Sequence, residues 1–223
     1  ILVFLGEGKA NFDTASSSSV IMRDGSHPHT HGLGIADLNG DGYPDIVTAN
    51  SSDHDVSVML SNGSGGFRAA PGSPFAVSPD PYPLTIGDVN GDRHPDIVST
   101  TSERSKRAVT VLTGDGRRHF IRKDIPLRTT SPWYVAIGDI NSDKVADMVM
   151  THTERSELCV LAGSRNGDFT EVAGSPFNLG NNPWHVAMAH VNSDTNLDVL
   201  VAANNGVRVM MGDGKGQFSA ASG

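Results

Sequence analysis

Four segments of this 223-residue chain begin 51 residues apart, and that spacing limits the fold more than any other feature. They are Asp37-Leu-Asn39-Gly-Asp41-Gly-Tyr43-Pro-Asp45, Asp88-Val-Asn90-Gly-Asp92-Arg-His94-Pro-Asp96, Asp139-Ile-Asn141-Ser-Asp143-Lys-Val145-Ala-Asp147 and His190-Val-Asn192-Ser-Asp194-Thr-Asn196-Leu-Asp198. Three equal intervals mark an internal repeat, and periods of about 20–50 residues belong to solenoids, propellers and arrays.

The same order of elements surrounds each segment. A short strand precedes it (Leu33–Ala36, Leu84–Gly87, Val135–Gly138, Val186–Ala189), with large and small residues alternating at the period of two that a pleated strand requires. A β-branched run such as Ile46-Val47 or Ile97-Val98 follows. A third strand comes next (Val56–Leu60, Val109–Leu112, Leu158–Leu161, Val207–Met211), then a Gly-rich turn of hairpin chemistry, then a Phe opening a fourth strand (Phe67, Phe120, Phe169, Phe218). Four antiparallel strands in about 50 residues make one propeller blade. The fold class expected is therefore all-β, a β-propeller.

Ile1–Phe12 matches Val207–Phe218, so the chain opens at the third strand of a blade and closes after a fourth. This predicts half a blade over 1–27 and four complete blades over 28–80, 81–131, 132–182 and 183–223. The two halves do not complete one another. The expectation is a part of a longer propeller, with a five-bladed ring carrying one thin blade as the alternative.

The spacing D-x-N-x-D-x-x-x-D puts oxygen side chains at positions 1, 3, 5 and 9 of a tight loop, with the backbone carbonyl of position 7 (Tyr43, His94, Val145, Asn196) turned toward them. Oxygen cages of this kind suit hard cations, calcium above all. An Asx-rich turn is the plain alternative, because Asp, Asn and Gly dominate turns for reasons of their own. Eleven of the 25 acidic residues lie in these loops, and four divalent ions would cancel the formal charge of −8. The loops are unequal: the first has three carboxylates and Gly42 at position 6, the next two have Arg93 and Lys144 there, and the fourth has His190 at position 1.

The acidic pattern D-x-N-x-D-G-x-x-D, followed by a hairpin of the form V-x-V-x-x-G-D-G-x-G-x-F at 207–218, resembles the FG-GAP or VCBS repeat of integrin α-subunit propellers and many secreted bacterial proteins. Gly72-Ser-Pro-Phe75, Gly174-Ser-Pro-Phe177 and Asn182-Pro-Trp184 resemble the bacterial forms most. The resemblance implies a propeller, usually of seven blades, with calcium held between first and second strands by the Asp and Asn residues named above. His190 departs from the pattern, so three to four calcium ions are expected.

His31, Tyr82, Trp133 and Trp184 also recur every 51 residues, at the entrance to each first strand. One reading wedges them between blades as core; the other makes them stacking platforms for a ligand. His27, His29 and His31 form a solvated connection or, alternatively, a transition-metal site. Cys159, the one cysteine, sits in an apolar run and reads as a small buried hydrophobe. Asn50-Ser-Ser and Asn62-Gly-Ser are glycosylation sequons. The acidic balance excludes a nucleic-acid partner, and no segment approaches the ~20 apolar residues of a membrane span. There is no nucleophile elbow, zinc-protease helix or phosphate loop. The expectation is a non-enzymatic adhesion or binding module with a protein or glycan ligand, extracellular or secreted, or else periplasmic or on the cell surface. Such loops bind calcium at about 0.1–1 mM in extracellular modules, a level the cytosol does not reach. A lectin-like propeller using the aromatic positions is the first alternative, and a polysaccharide-active enzyme on the same scaffold the second.

Overall fold

A computed structural model describes residues 1–6, 12–19, 29–103, 108–128, 132–180 and 182–221. The strands fall where the repeat places them. β1 (Leu2–Gly6) and β2 (Phe12–Ser19) pair antiparallel as the half blade. The first complete blade is β3 (Thr30–Ala36), β4 (Asp45–Asn50), β5 (Asp55–Ser61) and β6 (Phe67–Ala69), with the short β7 (Phe75–Ala76) also on β5. The second is β8 (Pro81–Gly87), β9 (Asp96–Thr101), β10 (Ala108–Gly114) and β11 (Phe120–Pro126). The third is β12 (Tyr134–Gly138), β13 (Asp147–His152), β14 (Glu157–Gly163) and β15 (Phe169–Glu171), with β16 (Phe177–Asn178) on β14. The fourth is β17 (Pro183–Ala189), β18 (Asp198–Ala203), β19 (Gly206–Gly212) and β20 (Phe218–Ala220).

The first strands β3, β8, β12 and β17 touch in that order, which makes them the innermost layer of the ring. Their large-small alternation is the packing code between blades. Leu84 and Ile86 lie on Gly32 and Gly34, Ile137 on Gly87, and Met188 on Gly138. At Gly34 a Cβ would come within 2.5 Å of Ile86 Cδ1 and 2.7 Å of Leu84 Cδ1. Gly34→Val is therefore expected to destabilise the fold by about 1–3 kcal/mol through overpacking, read as a lower urea midpoint.

Second strands β4, β9 and β13 are buried at every residue because blades cover both their faces. Val47, Ile97, Val98, Met148 and Val149 are fully enclosed there.

The G-S-P-F segments are more than connections. Ser73 Oγ accepts the Val58 N–H and Ser175 Oγ the Val160 N–H, which ties each segment to the third strand of its blade. Phe75 and Phe177 then reach the next blade, meeting Phe120 and Phe218 edge-on at 5.1 and 5.9 Å. Cys159 is buried as expected, and burial pushes its thiol up to about 11. Asn50 is 2% exposed, its amide donating to Asp55 and Ser57, so this sequon is closed to a glycosyltransferase in the folded chain.

Candidate functional site

The acidic loops join the end of each first strand to the start of the second, as the repeat requires. Their position-9 aspartates begin the second strands and are fully buried in all four blades. Both oxygens of each accept backbone amides from two different elements. Asp45 takes Leu38 N–H (2.9 Å) and Ser61 N–H (2.8 Å), and Asp96 takes Val89 (2.9 Å) and Gly114 (2.8 Å). Asp147 takes Ile140 (2.9 Å) and Gly163 (2.8 Å), and Asp198 takes Val191 (3.0 Å) and Gly212 (2.9 Å). Each carboxylate thus bolts its loop to the end of the third strand. Burial pushes Asp96 and Asp147 up to about 6 and raises Asp45, with smaller upward pushes from the carboxylates at positions 5 and 1; the two amides oppose this.

The position-1 aspartates cap their own loops. Asp37 accepts from Gly40, Asp41 and Gly42, Asp88 from Gly91 and Arg93, and Asp139 from Asp143 and Lys144. Position 6 is left-handed in all three, at φ 86° for Gly42, 71° for Arg93 and 68° for Lys144, so the two basic residues carry strain that the glycine avoids. The position-5 carboxylates of Asp41, Asp92, Asp143 and Asp194 accept the position-7 amides of Tyr43, His94, Val145 and Asn196. Among the described residues no three Asp, Glu, His or Cys groups are gathered into a finished metal cage.

Position 3 separates the loops. Asn90 donates to Asp92 (3.0 Å) and Asn192 to Asp194 (2.7 Å), closing those side chains on each other, while Asn141 is 3.5 Å from Asp147. Asn39 alone has both Oδ1 and Nδ2 buried without a protein partner. A buried amide oxygen left unpaired between two aspartates fits a hard cation, as does the all-oxygen donor set. In the fourth loop His190 Nδ1 donates to the Asn196 carbonyl at 2.7 Å, engaging the backbone oxygen that position 7 would offer an ion.

The aromatic positions lie at the opposite ends of the first strands. They do not wedge into the core, since none is buried and Trp184 is 44% exposed. They touch one another across the blades instead: His31–Tyr82 at 4.1 Å and Tyr82–Trp133 at 4.9 Å with tilted rings, and Trp133–Trp184 edge-on at 5.8 Å between ring centroids. A β-bulge sets three of them, and Trp133 sits just ahead of β12. His31 is the extra residue between the pairs Thr30–Asn50 and Gly32–Ala49, and Trp184 between Pro183–Ala203 and His185–Ala202. Tyr82 and Pro83 together oppose Thr100, and the Trp133 N–H bonds the carbonyl of Thr151, which already pairs with Tyr134. The prolines at 81, 83 and 183 were the sequence signal for these bulges, since proline inside a sheet is confined to edges, strand starts and bulges. Of the three histidines, His29 stacks on His31 at 4.2 Å and His27 lies outside the described residues.

Four-stranded antiparallel blades, arrayed around their first strands and each carrying an acidic first-to-second-strand loop, define a β-propeller. The model of the FG-GAP-like repeat matches residues 37–99 and again 88–150, together just over half of the chain, and the chain belongs to that family. Mouse cartilage acidic protein 1 is 27% identical over 177 residues, covering 73% of this chain and 27% of that protein. An Agrocybe aegerita lectin that recognises non-reducing terminal N-acetylglucosamine superposes with a TM-score of 0.65 at 19% identity, over 99% of this chain and 60% of its own. BBS1N, in complex with ARL6DN, gives 0.58 at 16% identity, over 87% and 56%. The chain thus spans about a quarter of the curated relative and no more than three fifths of either solved structure. At these identities the two solved structures speak for the fold alone. No helix is long and apolar enough to cross a membrane among the described residues.

Proposed function

We propose that this chain is a calcium-stabilised, non-catalytic binding propeller that works outside the cytoplasm. The observation that carries the reading is Asn39, whose buried and unpartnered amide oxygen lies in the loop with three carboxylates and a relaxed glycine at position 6. Asp37, Asn39, Asp41, Asp45 and the Tyr43 carbonyl would hold the ion in the first loop, with the corresponding residues of the second and third loops after it. The ion would neutralise clustered carboxylates and lock the turn between first and second strands. At the affinities of about 0.1–1 mM typical of extracellular modules, such loops would fill only where calcium is abundant. The mouse relative's name, which refers to cartilage, is in keeping with that location.

The partner is a protein or a glycan. BBS1N binds ARL6DN and the Agrocybe lectin recognises N-acetylglucosamine, so the scaffold serves both elsewhere. The contiguous aromatic row, half-buried at Tyr82 and Trp133 and exposed at His31 and Trp184, favours the glycan.

Anomalous scattering from crystals grown in limiting calcium tests the loops. A strong peak is expected within 37–45, weaker peaks within 88–96 and 139–147, and none within 190–198. A peak in the fourth loop with none in the first would overturn the ranking by carboxylate count and loop glycine.

A further inference from the structure

We infer that His31, Tyr82, Trp133 and Trp184 form a binding surface for a polysaccharide, one sugar unit after another along the row of rings. This rests on the glycan reading of the propeller and gives it a site. Two independent features point to it. The rings form a continuous row of ring-to-ring contacts across four blades, tilted at the first two and edge-on at the last, and β-bulges set His31, Tyr82 and Trp184. Bulges re-aim side chains at barrel rims and beside functional sites. Here they turn that station of three blades out of the interblade core, which Leu84, Ile86, Ile137 and Met188 already fill.

The chemistry selects the ligand. A tryptophan normally hides most of its large apolar area. The chain has two, and both stand in this row, one of them 44% exposed with its Nε1–H anchored 2.6 Å from Asn204 Oδ1. Like stations in fixed register match a ligand that itself repeats, and aromatic faces match a unit with an apolar face and a polar rim. Nucleic acid has such units too, but its phosphates need cations, and this chain carries a formal −8. A pyranose polymer meets both conditions.

The row also stands apart from the acidic loops. His31 and Asp37 mark opposite ends of a strand, about 20 Å apart at 3.3 Å per residue. The sugar therefore contacts no calcium, unlike a lectin whose ion ligates the sugar hydroxyls.

Because both tryptophans of this chain lie in the row, intrinsic tryptophan fluorescence of the 223-residue chain reads this surface. A glycan array selects the probe, and laminarin, xylan, chitohexaose and hexa-arginine are titrated beside it. A saturable emission shift with at least one polysaccharide or oligosaccharide is expected, and it should persist in chelator below the melting temperature. Trp184→Ala and Trp133→Ala should each weaken binding by about tenfold, while Trp184→Phe, which keeps a stacking face, stays within about threefold. Melting temperatures of the Trp184 variants should stay near that of the parent. A blank array overturns the proposal, as do Trp variants that bind like the parent, or a row that hexa-arginine saturates and glycans do not. A blank array with calcium-dependent melting overturns the row alone, and tryptophan-dependent binding with chelator-insensitive melting overturns the calcium loops alone.

Discussion

Asp147→Ala, measured in excess chelator, is expected to destabilise the protein by about 2–4 kcal/mol and lower its melting temperature by roughly 5–15 °C. The carboxylate accepts the Ile140 and Gly163 amides at 2.9 and 2.8 Å in a site with no solvent exposure. Each amide left without a partner costs about 1–3 kcal/mol. Removing the carboxylate also relieves the penalty of burying it, the penalty that pushes its pKa up to about 6. That relief keeps the net loss in the lower part of the range. Asp147→Asn retains one acceptor but points an amide N–H at the other donor, so it should fall between parent and alanine variant. Asp143→Ala is the control, because it removes one acceptor on an exposed side chain, from a single part-buried hydrogen bond, and should cost about 1 kcal/mol or less. Chelator removes any contribution from an ion, so the comparison isolates the hydrogen bonds. Equal stabilities for Asp143→Ala and Asp147→Ala would show that the buried carboxylate is not what ties loop to strand.

That role for position 9 was only half legible in the sequence. The 51-residue period, the alternation in Leu84-Thr-Ile86-Gly87 and the phenylalanines opening β6, β11, β15 and β20 placed the strands, because strand period and turn chemistry are local properties. An aspartate in an acidic loop is ambiguous by contrast. The same residue type caps an amide, ligates a cation or bridges two strands, and only its depth distinguishes them. One hint was available: the fourth loop loses its position-1 aspartate to His190 yet keeps Asp198, as a residue needed by the fold rather than by an ion would be kept. The aromatic positions were found by their spacing but could be read two ways. Whether a ring at a strand start turns into the core or out of it depends on one extra residue in the ladder, and hydropathy does not record that. Asn50 is a similar case, a sequon by its letters and a buried hydrogen-bonding hub by its surroundings.

The proposed calcium loops give the second large effect, and its sign depends on pH. At free calcium tenfold above the dissociation constant, one site stabilises the native state by roughly 1.4 kcal/mol, so three filled sites contribute about 4 kcal/mol and roughly 8–16 °C in melting temperature. Chelator should remove this and added calcium restore it. Without the ion, Asp96 and Asp147 titrate near 6 in the folded chain against an ordinary value of 3.8, with Asp45 raised in the same sense. The charged neighbours in each loop are acidic too, Asp88 and Asp92 around Asp96 and Asp139 and Asp143 around Asp147, and they add to the burial penalty that outweighs the two backbone amides. Between pH 4 and 6 the native state therefore binds protons that the unfolded chain has released, and stability must fall as pH rises through that window. In chelator the melting temperature should be higher at pH 5 than at pH 7. Calcium competes with those protons for the same oxygens, so its stabilisation should be small at pH 5 and full at pH 7 and above. Thermal melts at both pH values, each with chelator and with millimolar calcium, give the four numbers needed. A calcium increment as large at pH 5 as at pH 7 would place the ion on groups other than these aspartates.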